Sequence, residues 1–245
     1  MKKIIIIGSG TSGLMTAAIF KRFYAGRVKV EVYYDSKRKT IGVGESTTQA
    51  FVDFIRRYLY VHPADFIKDT GSTVKLGILF KNWTENGKYF HGFNECNVDN
   101  SKGEYPESLY SIPNGTFNGG TLYNKATTTV PSHDLYYNHA VHIDTQLITK
   151  YILDDIKDEI DHIDDVVEKV NSDGKTIQSI VFKNRGEVTA DFYVDASGFS
   201  NVLFKHLNPD WVDITNYLPL DRAIPQQVPH NLVEIPSYTQ AEATK

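Results

Sequence analysis

The stretch KIIIIGSGTSG, residues 3–13, decides the fold of this 245-residue chain. Four consecutive isoleucines end at Gly8, and a short β-branched run of this kind is typical of a buried parallel strand. Apolar residues at helical spacing follow over 12–23, and a second β-branched strand is predicted over 28–34. The three elements have the order and length of a strand–helix–strand crossover. The sequence therefore predicts an α/β fold built on a parallel sheet.

Three glycines in the pattern Gly-x-Gly-x-x-Gly form the turn between the first strand and the helix. The first permits a tight turn, the second lets a pyrophosphate approach the backbone, and the third lets helix and strand pack closely. The helix start adds unpaired N–H groups, and an acid ends the second strand, where it can accept from a ribose hydroxyl. A glycine-rich turn without a ligand is the alternative. The context favours a dinucleotide site, whose predicted contacts are Gly8, Gly10, Thr11, Ser12, Gly13 and Asp35.

The choice between FAD and NAD depends on a second segment, YVDASG at 193–198. A strand that ends in Asp-Ala-Ser-Gly after a β-hairpin resembles the second flavin-contacting segment of the glutathione-reductase-type flavoproteins. On its own it is equally an ordinary strand-to-turn junction with Gly198 in a left-handed conformation. Together with the first turn it favours FAD, with Asp195, Ser197 and Gly198 as contacts. The expected fold class is a glutathione-reductase-type FAD-binding Rossmann-like fold, with a mixed sheet and an inserted loop and strand region.

The whole chain, 1–245, is expected to form one FAD-binding module. Residues of about 84–135 are rich in Asn, Gly, Tyr, Thr and Ser, which predicts a loop-rich insert. A β-hairpin is predicted at about 164–183, because Asp173-Gly174 separates two strand-like runs. A single strand is predicted over 74–80.

Composition and residue spacing give no reason to expect several kinds of partner and site. The net charge of −4 gives no electrostatic reason to expect nucleic acid or an anionic membrane. Cys96 is the single cysteine, which fits a reducing compartment, and the first apolar run is too short for a signal peptide or a membrane span. We therefore expect a cytoplasmic protein that begins at Met1. His139, His142 and Asp144 do not predict a metal site, because an extended segment places the two histidines on opposite faces.

Four segments of the chain carry a shared pattern: GSGTSG at 8–13, IGVGEST at 41–47, STVKLGILFKNW at 72–83 and DASGF at 195–199. Together they resemble a single family, the flavin-dependent tryptophan halogenases. That family shows the glycine turn, a Gly-Val-Gly-Glu strap, a lysine in an apolar strand, and an Asp-x-Ser-Gly-Phe segment. The stretches HIDTQLITKYI and VPHNLVEIPSYTQAEA also resemble parts of the family, so the resemblance spans essentially the whole chain.

The resemblance implies an activity that needs both the turn and the strap. Reduced FAD, oxygen and a halide would yield hypohalous acid, which a lysine relays to an aromatic, indole-like substrate such as tryptophan or another indole. Gly42 and Gly44 of the strap would let the backbone approach the flavin, while Glu45 and Thr47 would face the flavin or the halide. Without the resemblance, a glutamate after two glycines is equally a solvated loop residue.

Lys75 is the residue that the resemblance identifies as catalytic. It lies between Val74 and Leu76 in a mostly apolar run, and a buried lysine is usually paired or functional because burying its charge costs free energy. The alternatives are a lysine that extends to solvent from an edge strand, or half of an ion pair. Lys81 is a competing candidate in the same run, with a spacing that fits the family less well.

The chain also departs from the family pattern. The family's Trp-x-Trp-x-Ile-Pro motif and the glutamate that pairs with the lysine have no counterpart here, so we expect a module that is incomplete at its C-terminus. The resemblance implies a flavin reductase as supplier of reduced FAD, and a homo-oligomer or a missing C-terminal half as partner. Two alternatives stay open: a flavin-dependent monooxygenase, and a truncated FAD-binding subunit without halogenase activity of its own.

Overall fold

The computed structural model describes residues 2–24, 26–38, 45–85, 87–93, 139–226, 228 and 238–244. The chain divides into two compact units. The first unit comprises Met1–Val43 and Thr145–Gln226, and the second comprises Gly44–Asp144 and Gln227–Lys245. Among the described helices, none combines the length and the apolar character that crossing a bilayer requires.

A four-stranded parallel sheet forms the centre of the first unit. Its strands run in the order β12-β1-β2-β8, and every neighbouring pair is parallel. The apolar β-branched runs explain why the sheet forms here, since strands buried on both faces need such residues. The strands are β1 (Lys2–Ile7), β2 (Val28–Tyr34), β8 (Asp161–Asp164) and β12 (Phe192–Asp195). The predicted α/β fold with a parallel sheet is confirmed.

Two helices of the first unit pack against each other, and one of them also packs on the sheet. They are α1 (Thr11–Tyr24) and α4 (Thr145–Ile156). Arg22 near the end of α1 donates to Asp155 at 3.0 Å and to Glu159 at 2.6 Å, which joins the ends of the two helices.

An antiparallel sheet covers the other side of the parallel sheet. Its strands are β9 (Val167–Ser172), β10 (Ile177–Phe182) and β11 (Gly186–Val188), and β9 and β10 form a hairpin. Ile5 and Ile7 of β1 and Tyr33 of β2 pack against it, and Tyr33 stacks on Phe182 with ring centroids 3.8 Å apart. The buried cluster between the two sheets is Ile5, Ile7, Tyr33, Ile163, Val170, Ile180, Phe182 and Leu203.

Among its described residues, the second unit contains two three-stranded sheets. The sheet β3-β7-β4 is antiparallel, with β3 (Glu45–Ser46), β7 (Ala140–Ile143) and β4 (Thr73–Lys75). The sheet β13-β5-β6 is mixed, because β13 (Thr239–Glu242) runs parallel to β5 (Gly77–Lys81), whereas β6 (Lys88–Gly92) runs antiparallel to it.

Helical segments connect the first strands of the second unit. Helix α2 (Gln49–Phe54) continues into a π-helical turn, Ile55–Leu59, and α3 (Pro63–Thr70) follows. The imidazole of His62 caps α3 by accepting from the N–H of Ala64 at 3.2 Å.

One sequence prediction about strands is wrong, and one strand was not predicted. The single strand predicted over 74–80 is two strands, β4 and β5, which are separated at Leu76 and belong to different sheets. Periodicity could not show this break, because the alternating apolar residues Val74, Leu76 and Ile78 continue through it. The hairpin predicted at about 164–183 is formed by β9 and β10 and begins at Val167. The strand that was not predicted is β8, which ends at Asp164 and belongs to the parallel sheet. Its sequence, DHID, carries no run of β-branched residues.

Candidate functional site

The glycine turn of the first unit is shaped by two close backbone approaches. Gly8 has a φ of +115°, and its N–H donates to the carbonyl of Tyr33 at 2.8 Å. A Cβ on Gly8 would overlap the carbonyl of Ala196, and one on Gly13 would overlap the carbonyl of Gly8. These two glycines are therefore required by the fold itself, as the turn-and-packing argument predicts.

Gly10 differs from the other two glycines of the turn. Apart from Gly10 itself and its two chain neighbours, no atom of the described residues lies within 4 Å of the position that a Cβ would occupy there. The backbone beside Gly10 thus faces open space, which is what the close approach of a pyrophosphate needs. The position fits the role that the sequence predicts for it.

The first residues of α1 also fit an anionic ligand. Thr11 Oγ1 is buried and has no hydrogen-bond partner among the described residues. Helical hydrogen bonding begins with the N–H of Leu14, which donates to the carbonyl of Gly10 at 3.0 Å, so the N–H groups before it have no helical acceptor. Ser12 is exposed, and its carbonyl accepts from Thr16 Oγ1. A phosphate at this helix start would provide acceptors for these donors.

Asp35 follows β2 directly and is half-buried. Because β1 and β2 are neighbours with Ile7 opposite Tyr33, Asp35 and the glycine turn lie at the same edge of the sheet. One carboxylate oxygen of Asp35 accepts from the N–H of Lys37 at 3.0 Å. The placement is compatible with the predicted contact to a ribose.

Asp195 has a structural role within its own loop. One of its oxygens accepts from the N–H and the hydroxyl of Ser197, and the other accepts from the N–H groups of Leu203 and Phe204 at 2.7 and 2.8 Å. Burial raises the pKa of Asp195, but these hydrogen bonds outweigh burial, so its pKa is lowered. The carboxylate thus holds together the loop that the sequence predicts to contact a flavin.

Ser197 and Gly198 belong to the same loop. The N–H of Val202 donates to Ser197 Oγ at 2.9 Å, so this hydroxyl is bound inside the loop as well. Gly198 has a φ of +62°, the left-handed conformation that the sequence suggests for it, and it begins a short 3₁₀ turn. Both residues are fixed in place whether or not they contact a ligand.

Lys75 is the principal feature of the second unit. It is the last residue of β4 and is only 4% exposed. Its Nζ donates to the backbone carbonyl of Thr47 at 3.0 Å and lies 5.2 Å from the ring centroid of Phe93. Burial lowers the pKa of Lys75. Among the described residues it forms no ion pair, so the ion-pair alternative has no support in that part of the chain.

The strap residue Thr47 is fixed by β7. Its N–H and its hydroxyl donate to the carbonyl of Val141 at 3.0 and 2.8 Å, and its Oγ1 accepts from the N–H of Val141 at 3.0 Å. Its own carbonyl is thereby directed at Lys75. Glu45 is half-buried in β3 opposite Ile143. The predicted strap contacts Gly42 and Gly44 lie outside the described residues.

His142 of β7 lies in a polar network beside Lys75. Its Nε2 is 3.0 Å from Thr239 Oγ1, which is 2.8 Å from Ser46 Oγ, and its Nδ1 is 3.4 Å from Thr73 Oγ1. Burial, aided by the charge of Lys75, lowers the pKa of His142 to about 4. The imidazole is therefore neutral near pH 7. From the sequence, His142 was considered only as a metal ligand. The pairing of its strand, β7, could not be predicted from residue spacing.

No group of His, Cys, Asp and Glu side chains suited to a metal ion occurs in the part of the chain that the structure describes. Cys96 and most of the predicted insert lie outside the described residues. Sequence analysis also missed the contact between Ser9 in the glycine turn and His162 in β8, whose Oγ and Nε2 atoms are 2.8 Å apart.

Comparisons with known proteins agree on one family. The family profile described as tryptophan halogenase matches residues 3–245. The 7-chloro-L-tryptophan 6-halogenase KtzR of Kutzneria sp. (strain 744) is 29% identical over 92% of this chain and 50% of its own length. The tryptophan 6-halogenase SttH of Streptomyces toxytricini is 27% identical over 98% of this chain and 53% of its own length.

Solved structures give the same result. The crystal structure of SttH superposes with a TM-score of 0.78 at 25% identity, over 100% of this chain and 52% of that one. Tar14, a flavin-dependent tryptophan C-6 halogenase from taromycin biosynthesis, superposes with a TM-score of 0.72 at 26% identity, over 89% of this chain and 47% of that one. The chain spans about half the length of the curated relatives it matches.

Proposed function

This chain belongs to the tryptophan halogenase family, and on that premise we propose that it binds FAD and takes part in the FAD-dependent halogenation of an indole-like substrate. The predicted family and fold class are confirmed. The observation that carries the proposal is the environment of Lys75. Lys75 is buried, donates to a backbone carbonyl and lies beside an aromatic ring. This placement costs free energy, because the charge of the lysine loses its hydration.

The first unit supports FAD as the cofactor. The open backbone at Gly10 and the donors at the start of α1 suit the pyrophosphate, and Asp35 suits a ribose. Ser197 and Gly198 supply a rigid loop for the flavin-contacting role that the resemblance implies. When bound and reduced, FAD would supply the oxygen activation through which a halide becomes hypohalous acid.

Lys75 would act on the hypohalous acid as its carrier or as a hydrogen-bond donor to it. The lowered pKa increases the neutral fraction of the amine, which is the form that can accept a halogen. Thr47 and Phe93 fix the direction of the Nζ atom, so a reacting species there is held rather than free to diffuse. Glu45 and Gly44 remain proposed strap contacts.

The partners and the location are further parts of the proposal. The relatives are named for acting on tryptophan, so tryptophan or another indole is the proposed substrate class. A separate flavin reductase is the proposed source of reduced FAD. A homo-oligomer and a cytoplasmic location complete the proposal, and analytical ultracentrifugation and cell fractionation test these two points.

One experiment distinguishes the candidate functions. The chain is titrated with FAD and with NAD by fluorescence quenching, then incubated with reduced FAD, oxygen, tryptophan or indole, and chloride, bromide or iodide, and analysed by mass spectrometry. A halogenated product that Lys75→Met removes and the control Lys81→Met retains supports the proposal. Both substitutions replace a lysine by an uncharged side chain of similar length.

Three other outcomes identify the alternatives. A hydroxylated product that forms without halide indicates a flavin-dependent monooxygenase. FAD binding without any product favours an FAD-binding subunit that lacks halogenase activity of its own. Tight NAD binding without FAD binding contradicts the proposal altogether.

A further inference from the structure

We propose that Ser9 and His162 form a support for the phosphate-binding turn, in which His162 acts as a positioning residue and makes dinucleotide affinity depend on pH. This proposal rests on the proposed binding of FAD. It concerns residues that neither the motif nor the resemblance identifies.

Ser9 is the one residue with a side chain between the first two glycines of the turn. Gly8 has a φ of +115°, so the backbone enters the turn in a conformation that is accessible mainly to glycine. Glycine occupies two of the three positions in the segment Gly8-Ser9-Gly10. This segment therefore keeps high conformational entropy unless a contact with another part of the chain fixes it. Ser9 Oγ lies 2.8 Å from His162 Nε2, and this hydrogen bond ties the turn to β8.

His162 is itself held firmly. It lies in β8 opposite Val32 of β2, and its ring stacks on that of Tyr34 at 4.1 Å between centroids, with an angle of 9° between the planes. Tyr34 directly precedes Asp35, the proposed ribose contact. His162 therefore links the part of the turn proposed to meet the pyrophosphate with the strand end proposed to meet the ribose. A turn ordered in advance loses less entropy when its ligand binds.

The charges around His162 determine how it responds to pH. Burial lowers the pKa of His162, and the negative charge of Asp164 on the same strand partly opposes this. Asp164 accepts from the N–H of Ser36 at 3.0 Å, and the charge of Lys37 acts on it as well. From β2, the ring facing His162 is that of Tyr34. In the free chain, the imidazole is therefore mostly neutral at pH 7.

A bound pyrophosphate would shift this balance toward the imidazolium. Two negative charges near the turn favour the protonated ring, so the pKa of His162 rises on binding. Protonation also makes Nε2 a donor to Ser9 Oγ, which leaves the Ser9 hydroxyl hydrogen available for a phosphate oxygen. Because the complex binds the proton more tightly than the free chain, affinity increases as the pH falls through the pKa of the complex.

The test measures FAD affinity by fluorescence quenching between pH 5.5 and pH 8.5. We expect the unmodified chain to bind FAD roughly threefold to tenfold more tightly at pH 5.5 than at pH 8.5, a change that corresponds to a pKa shift of up to about one unit. His162→Gln keeps an N–H donor for Ser9 but cannot be protonated. It should match the unmodified chain at pH 8.5 and show a flat pH profile.

Two further variants complete the test. Ser9→Ala removes only one oxygen atom, so the turn should still form, but its FAD affinity should fall at all pH values and the pH profile should flatten. His206→Gln, in a 3₁₀ turn of the same unit, is the matched control and should keep the profile of the unmodified chain. The imidazole resonances of His162, followed by NMR, should show a higher pKa in the presence of FAD.

Each other result has a defined meaning. A pH profile of His162→Gln that equals that of the unmodified chain overturns this inference, while FAD binding itself stands. Equal loss of affinity at every pH in His162→Gln, with no FAD-dependent change in the His162 resonances, shows a purely structural residue and also overturns it. Absence of FAD binding by the unmodified chain at every pH contradicts the proposed function instead.

Discussion

The two units build their candidate sites from different materials. In the first unit, backbone forms the site: three glycines, the start of a helix and a loop whose carboxylate, Asp195, is engaged by internal donors. In the second unit, side chains from separate strands contribute: Lys75 of β4 donates to the carbonyl of Thr47, and His142 of β7 lies within hydrogen-bond distance of Thr239. Added side-chain atoms should therefore disrupt the site formed by backbone, whereas removal of side-chain atoms should disrupt the network formed by side chains.

The largest expected effect is a loss of stability on substitution of Gly13, and substitution of Gly10 in the same turn should not cause it. Gly13→Ala places a Cβ against the carbonyl of Gly8, and because this is backbone rather than a flexible side chain, strand and helix must move apart. We expect the free energy of unfolding to fall by about 2–4 kcal/mol. Urea unfolding followed by circular dichroism measures it. A change below about 0.5 kcal/mol would show that the close packing is not needed.

Gly10→Val is the counterpart that affects the ligand and not the fold. The space beside Gly10 is open, so the free energy of unfolding should stay within about 1 kcal/mol of the unmodified value. The same side chain occupies the place proposed for the pyrophosphate, so FAD affinity should fall by about 100-fold or more. Fluorescence titration measures the affinity, and retained binding would mean that the cofactor does not approach this turn.

Thr239→Val examines the side-chain network of the second unit. The substitution keeps the shape of the side chain but removes the hydroxyl that lies between His142 and Ser46. Nε2 of the half-buried imidazole loses its partner, and we expect a loss of about 1–2 kcal/mol in the free energy of unfolding. Gln240→Ala, at the exposed neighbouring position, should change it by less than about 0.5 kcal/mol. Equal effects of the two substitutions would contradict a role for the network.

The smallest effect concerns the charge of Lys75. Burial lowers its pKa in the folded chain, whereas the unfolded chain keeps a value of about 10.4. Between the lowered pKa and about 10.4, Lys75 therefore binds fewer protons in the folded chain than in the unfolded chain. The free energy of unfolding rises with pH across this interval. Lys75→Met lacks this contribution, so its stability relative to the unmodified chain should decline between pH 7 and pH 10.

Urea unfolding at pH 7, 8.5 and 10 measures this difference. Lys81→Met keeps Lys75 and should keep the pH dependence of the unmodified chain. Parallel pH profiles for Lys75→Met and the unmodified chain would show that Lys75 stays solvated in solution.

The difference between a site formed by backbone and a site formed by side chains also explains what the sequence could predict. The first strand, the glycine turn and the helix are read from consecutive residues, because each step depends on neighbours in the chain. The burial of Lys75 was expected, but its acceptor is the carbonyl of Thr47, and backbone carbonyls carry no sequence signal. Strand β8 was missed because DHID lacks a β-branched run, and with it the contact of His162 to Ser9. Pairing between distant strands is settled by packing rather than by local preference.

The central place of β7 in its sheet has a consequence for biosynthesis. Both of its neighbours, β3 and β4, precede it in the chain, and β7 lies between them. A ribosome that has added Lys75 must add 65 more residues, 140 minus 75, to reach Ala140, the residue opposite Lys75. At about 5–20 residues per second, this interval lasts roughly 3–13 seconds. Throughout it, Thr47 lacks the strand that fixes it, and the lysine ammonium stays hydrated until the last strand of its sheet arrives.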